Sequence, residues 1–131
     1  MIKKIINFRV LYSDTDKMGY MYYGDYAKYL EMGRVELLRS YDLTYKEIEN
    51  KGYALPVLEM NIKYIKPLEY DDKVTLNNIL IKIKNNRFYF YHEFHKNNNL
   101  VNISKTTLVT VDLESKKPVR IPDFIYDKLK F

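Results

Sequence analysis

The chain has no cysteine. Disulfides, thiolate nucleophiles and cysteine-bound zinc are therefore all excluded. Its two histidines, His92 and His95, are too few for a His-rich metal centre. No G-x-S-x-G element is present, so a serine–histidine hydrolase is hard to assemble. No apolar run reaches the length of a membrane span, so membrane insertion is not expected. Met1-Ile2-Lys3-Lys4 leads straight into alternating strand sequence and has no small-residue cleavage site. It does not read as a signal peptide, and the expected location is the cytoplasm.

Hydrophobic residues make up 47% of the 131 positions, enough for one packed core. Residues 1–131 are accordingly read as one domain. The formal net charge of +5 invites a nucleic-acid reading. Lys, Asn, Ile and Tyr, all encoded by AT-rich codons, supply 54 residues, so base bias alone can produce this charge. Only 5 of the 22 basic residues are Arg, the residue that dominates specific base contacts. No nucleic-acid partner is expected.

Lys3 to Tyr12 alternates as a strand. Gly24 to Tyr41 carries Tyr26, Tyr29, Leu30, Gly33, Leu37 and Tyr41 at helical spacing, with Lys28, Arg34, Glu36 and Arg39 mostly on other faces. Thr44 and Glu47 form a capping box for a short helix that Gly52 stops. Strands follow at Leu58 to Ile65, Val74 to Lys84, Arg87 to Lys96 and Leu100 to Asp112, and Pro122 opens a last short helix to Leu129. Within Val74 to Lys84 the apolar phase changes at Asn77-Asn78, which predicts a β-bulge there. The order predicts an α+β fold, a curved antiparallel sheet wrapped around one long helix. One face and the edges of such a sheet stay free for another copy, so a homo-oligomer is expected.

The most informative segment is Asp14-Thr15-Asp16-Lys17-Met18-Gly19-Tyr20-Met21-Tyr22-Tyr23-Gly24-Asp25-Tyr26. Two carboxylates close a strand, and a glycine turn returns the chain to the start of a helix. Unpaired N–H groups at a helix start are donors for a developing oxyanion. A carboxylate beside such donors suffices to hydrolyse an activated acyl group. Gly19 and Gly24 permit the tight turn and close approach of a ligand to backbone. Asp16 can also cap the helix or close its own turn. Asp14 is assigned to fixing the loop; were the two carboxylates close together, one pKa would rise. Tyr22, Tyr26 and Tyr29 are read as packing residues. Glu31 can pair with Lys28 or Arg34, or contact substrate. Glu59 can serve the site of a partner subunit. Lys84 and Arg87 flank a hairpin tip at Asn85-Asn86, where they are either solvated or bind phosphate.

This segment, with Tyr29-Leu30-Glu31, Gly33-Arg34, Leu55-Pro56-Val57, Tyr64, Pro67 and Tyr70-Asp71-Asp72, resembles the hot-dog-fold acyl-CoA thioesterases of the 4-hydroxybenzoyl-CoA thioesterase type. The resemblance covers about residues 5 to 115. It implies a hot-dog fold, dimers or tetramers, and active sites at subunit interfaces. It places Asp16 at the catalytic carboxylate and Tyr23 at the residue whose backbone N–H polarises the thioester carbonyl. Gly19, Tyr22, Gly24, Glu31 and Glu59 become candidate substrate contacts, and Lys84 and Arg87 candidate contacts to the nucleotide phosphates. The implied substrate is an acyl-CoA or acyl-carrier-protein thioester, with no cofactor beyond the coenzyme A of the substrate and no metal. Tyr23 stands where many members carry His, and Asp25 where Asn or Ser is usual. The second reading is a non-catalytic acyl-thioester-binding or scaffold protein on the same fold.

Overall fold

A computed structural model describes residues 1–131. Strand β1 (Ile2–Arg9) alternates between half-buried and exposed residues. Two short 3-10 turns, Tyr12–Asp14 and Tyr23–Asp25, carry the chain into helix α1 (Tyr26–Arg39). Helix α2 (Tyr45–Asn50) is capped by Thr44, whose Oγ1 accepts from the Glu47 N–H at 3.1 Å. It ends at Gly52, where φ is +95°. The remaining strands are β2 (Tyr53–Ala54), β3 (Val57–Tyr64), β4 (Lys73–Lys84), β5 (Arg87–Lys96), β6 (Asn99–Val109) and β7 (Val111–Asp112), and helix α3 (Asp123–Leu129) closes the chain.

Five strands form one antiparallel sheet in the order β1-β4-β5-β6-β3, and β2 pairs with β7 outside it. Helix α1 lies on the inner face, over β1 and β4. This is the expected α+β architecture, with the helix start within two residues of Gly24. The pairing of β2 with β7 was not foreseen. The expected last long strand breaks at Thr110, and β7 turns away to β2.

The core is divided. One apolar cluster contains Leu37, Leu38, Leu80, Phe88, Phe90 and Leu108, and the other contains Tyr26, Tyr29, Leu30, Leu76 and Phe94. Between them runs a buried polar belt of Arg34, Asn78, His92, Ser104 and Thr106. Asn78, His92 and Ser104 are direct cross-strand partners. His92 Nδ1 meets Asn78 Oδ1 at 2.8 Å and Nε2 meets Thr106 Oγ1 at 2.9 Å. Burial, with Arg34 nearby, pushes the His92 pKa down to about 3, so the ring is neutral.

The belt corrects two expectations. The predicted bulge at Asn77-Asn78 is absent, because the register runs unbroken through both residues and shifts between Leu80 and Lys82 instead. Asn78 occupies an inward core position, where its Nδ2 donates to the carbonyls of Lys4 and Leu76 at 3.1 and 3.3 Å. A hydrogen-bonded amide thus takes a place that alternation reserves for an apolar side chain. Arg34 is buried at 4% exposure rather than on an outer face.

Candidate active site

The loop from β1 to α1 is organised around Asp14. This carboxylate is buried, and Oδ2 accepts from the Leu11 N–H at 3.0 Å and the Tyr29 hydroxyl at 2.5 Å. Oδ1 takes Lys28 Nζ at 2.6 Å. The Asp14 carbonyl receives the Tyr22 N–H at 2.7 Å. One residue therefore ties the loop at both ends to the first turns of α1. Burial raises the Asp14 pKa, but the hydrogen bonds from Lys28, Tyr29 and Leu11 outweigh it, and the net shift is downward. No rise of the kind expected from two neighbouring carboxylates falls on Asp14; cationic and hydroxyl donors surround it instead.

Asp14→Asn should lose roughly 1.5–3 kcal/mol in urea unfolding, the scale of hydrogen bonds to a charged group. A carboxylate with a lowered folded-state pKa stabilises above its unfolded value and loses that contribution as pH falls through the folded value. The gap between wild type and Asp14→Asn should therefore close below about pH 4. A gap unchanged down to pH 2 would show that Asp14 charge is not the cause.

Asp16 is exposed and sits in a tight turn. Its Oδ1 accepts from the N–H groups of Met18 and Tyr20 at 2.9 and 3.3 Å, and its carbonyl accepts from the Gly19 N–H at 3.0 Å. Gly19 has φ of +85°, a left-handed conformation that glycine adopts without strain. Asp16 thus closes its turn and does not cap the helix; neither the 3-10 turn nor α1 has a side-chain cap. Its second oxygen, Oδ2, makes no hydrogen bond to protein. The carboxylate is fixed by one oxygen and presents the other.

The start of the helix lines the same cavity as Asp16. The N–H groups of Met21, Tyr22 and Asp25 bond to the carbonyls of Leu68, Asp14 and Tyr22, whereas those of Tyr23 and Gly24 meet no acceptor. Asp16 and Tyr23 share a shallow cavity of about 290 Å³ with Tyr26, Tyr64 and Pro67.

The other candidates are more dispersed. Gly24 packs under the Tyr22 ring, and a methyl group there would come within 2.6 Å of it. Tyr22 is exposed, contrary to the packing role expected of it, while Tyr26 and Tyr29 are buried as expected. Glu31 is exposed and pairs with neither Lys28 nor Arg34; Lys28 goes to Asp14 instead. Glu59 stands opposite Thr107 on the outer face of β3, on the other side of the sheet from Tyr64. Lys84 and Arg87 pair across the β4–β5 turn and line a cavity of about 270 Å³. They lie at the Val57 end of β3, whereas Asp16 lies at the Tyr64 end, on the order of 24 Å away at the usual strand rise. Tyr64, which lines the cavity and reaches the helix start, carried no assigned role from sequence. Its signals were its place among the residues of the family resemblance and its phase in the alternation of β3.

The description "Thioesterase-like superfamily" belongs to the family model that matches residues 10–129. The chain is 32% identical to YneP of Bacillus subtilis, named as a candidate acyl-CoA thioesterase, across 98% of this chain and 96% of that protein. It is 27% identical to the acyl-CoA thioester hydrolase YbgC of Escherichia coli, across 93% and 92% of the two chains. Among solved structures, a DHNA-CoA thioesterase from Staphylococcus aureus superposes with a TM-score of 0.91 at 28% identity, covering 99% of this chain and 92% of that one.

Proposed function

Because the chain belongs to the thioesterase-like superfamily and is a thioester hydrolase with the hot-dog fold, we propose that it cleaves an acyl-CoA to a free acid and coenzyme A at Asp16 and Tyr23. The observation that carries this reading is that Asp16, with Oδ2 free, lines one cavity with Tyr23, whose N–H at the helix start has no acceptor. The thioester carbonyl accepts from the Tyr23 N–H. Asp16 then activates a water, or attacks the carbonyl carbon to expel the thiolate and leave a mixed anhydride for water to open. Backbone donors need no imidazole at position 23, so Tyr in place of His leaves this arrangement intact. The residues that do this work call for no metal and no cofactor.

The reading includes assembly into a homodimer or tetramer in the cytoplasm. Strand β3 is a sheet edge whose Val57, Leu58, Met60 and Tyr64 are all exposed. Pairing two copies antiparallel along β3 would bring the Val57 end of one, with Lys84 and Arg87, toward Asp16 of the other. That arrangement reconciles the separation of the two groups within one chain. No helix is long and apolar enough to cross a membrane.

The test is a panel of alkyl and aryl acyl-CoA thioesters with a thiol-detecting readout, on wild type and Asp16→Asn. Thiol release by wild type supports the proposal. Tight acyl-CoA binding with no release from any substrate would replace it with the binding-protein reading. The phosphate contact makes a separate prediction. Lys84→Ala combined with Arg87→Ala should raise KM for acyl-CoA roughly tenfold with kcat unchanged, the effect of lost uniform binding. The same acyl group on N-acetylcysteamine, which has no nucleotide, should show no difference. Equal KM values with acyl-CoA would return both residues to a solvated hairpin tip.

A further inference from the structure

We propose that Tyr64 is a positioning residue for the oxyanion site: its hydroxyl, donated to the Tyr23 carbonyl, holds and polarises the Tyr23–Gly24 peptide, whose unpaired Gly24 N–H is the second donor at the helix start beside that of Tyr23. The proposal rests on the thioesterase reading of Asp16 and Tyr23 and assigns a role within that site to a residue of a different element.

The geometry is specific. Tyr64 ends β3 on the inner face, opposite Asn102 of β6. Its ring meets the Tyr26 ring edge-on at 5.0 Å and 89°. Tyr26 is itself buried and packs against Phe94 at 5.3 Å. The aromatic column fixes where the Tyr64 hydroxyl arrives, and it arrives at the Tyr23 carbonyl at 3.0 Å. The peptide on the other side of Tyr23 is pinned too, because the Tyr22 carbonyl accepts the Asp25 N–H at 3.0 Å. Both peptide units that flank Tyr23 thus have a donor on the carbonyl and an unpaired N–H at the opposite end.

Two consequences follow from peptide chemistry. The unit is planar, so fixing the Tyr23 carbonyl fixes the direction of the Gly24 N–H. A hydrogen bond accepted by the carbonyl also draws charge from the nitrogen, which makes the N–H a better donor, as in cooperative chains. A donor preset before substrate arrives stabilises the developing oxyanion without reorganisation. Burial and the nearby Tyr23 raise the Tyr64 pKa, so the phenol keeps its proton and remains a donor through neutral pH.

Tyr64→Phe keeps the ring on Tyr26 and removes only the hydroxyl. It should lower kcat about tenfold, the scale of one neutral hydrogen bond, and leave KM within about twofold. A second readout is independent of turnover. A non-hydrolysable acyl-CoA analogue, with a methylene in place of sulfur and a ¹³C-labelled carbonyl, reports its hydrogen bonding through the carbonyl stretch. Binding to wild type should lower that frequency, and binding to Tyr64→Phe should lower it less. Site-specific 3-fluorotyrosine at position 64, a stronger donor that preserves the fold, should lower it at least as far as tyrosine does. A residue that merely supports the fold would shift melting temperature and KM and leave the carbonyl frequency alone; that result overturns the proposal, as does an unchanged kcat. Should wild type bind the analogue yet release no thiol from any acyl-CoA, the thioesterase reading fails while the frequency comparison still decides the role of Tyr64.

Discussion

Asp16→Asn should lower kcat by roughly 10²–10⁴ and leave KM nearly unchanged, measured by thiol release under steady-state conditions with any acyl-CoA that wild type accepts. The asparagine keeps the shape and the amide oxygen, so the turn bonds from the Met18 and Tyr20 N–H groups survive. What it loses is the charged, unpaired Oδ2 that can take a proton or attack. The substrate carbonyl is held by backbone at Tyr23, which the substitution leaves in place. That separation is why the effect belongs to kcat. Loss greater than this range would favour the nucleophilic route, because an amide cannot form the mixed anhydride. A single turnover in ¹⁸O-water with enzyme in excess separates the routes further. General-base catalysis puts water oxygen directly into the released acid, whereas water attacking an anhydride at the Asp16 carbon leaves the label on the protein. If Asp14→Asn abolished turnover in a folded protein and Asp16→Asn stayed active, the two carboxylates would exchange roles. The surroundings of Asp14 argue against that, since both its oxygens are occupied by Leu11, Lys28 and Tyr29.

Much of this arrangement could be read from sequence because it depends on local rules. Thr44 and Gly52 delimit α2 through an N-cap on the Glu47 N–H and a left-handed stop, both encoded within a few residues, although the Glu47 side chain closes no capping box. The Asp16-to-Gly19 turn and the helix behind it are equally local. Readings failed where a long-range contact decides the environment. Asn78 looked like a break in alternation, yet His92 and the Lys4 carbonyl, each from another strand, make it a core residue. Arg34 looked like a surface charge because helical spacing alone does not reveal that the belt opposite it is polar. Lys28 was matched with its helical neighbour Glu31, but Asp14 was the better partner, presented by a loop that spacing rules do not place. Tyr64 illustrates the same limit at the site. Its inward phase was visible, but its bond to Tyr23 spans 41 positions.

The polar belt yields the largest structural prediction, at Gly33. Here α1 comes so close to β4 that a methyl group on Gly33 would come within 2.6 Å of Asn78 Nδ2 and nearer still to Oδ1 and Cγ. Asn78 has no room to withdraw. Its Nδ2 is committed to the Lys4 and Leu76 carbonyls, and its Oδ1 to His92. Gly33→Ala must therefore either break those buried bonds or lift the helix and loosen Leu30 and Leu37 on either side. Overpacking of this kind costs about 1–3 kcal/mol, and a buried unsatisfied group about 1–3 kcal/mol more. Alanine returns roughly 1 kcal/mol through its better helix propensity. A net loss of about 2–4 kcal/mol should lower Tm by roughly 8–15 °C in thermal melts. Asn78→Ala alone should also destabilise, by leaving His92 Nδ1 without its partner. Combined with Gly33→Ala, however, it vacates the space that the new methyl needs. The double variant should therefore be more stable than the sum of the single losses predicts, by about 1 kcal/mol or more. Additive losses would mean that the methyl group meets something other than Asn78. A Gly33→Ala protein as stable as wild type would mean that helix propensity outweighs the clash and that α1 can ride higher on the sheet.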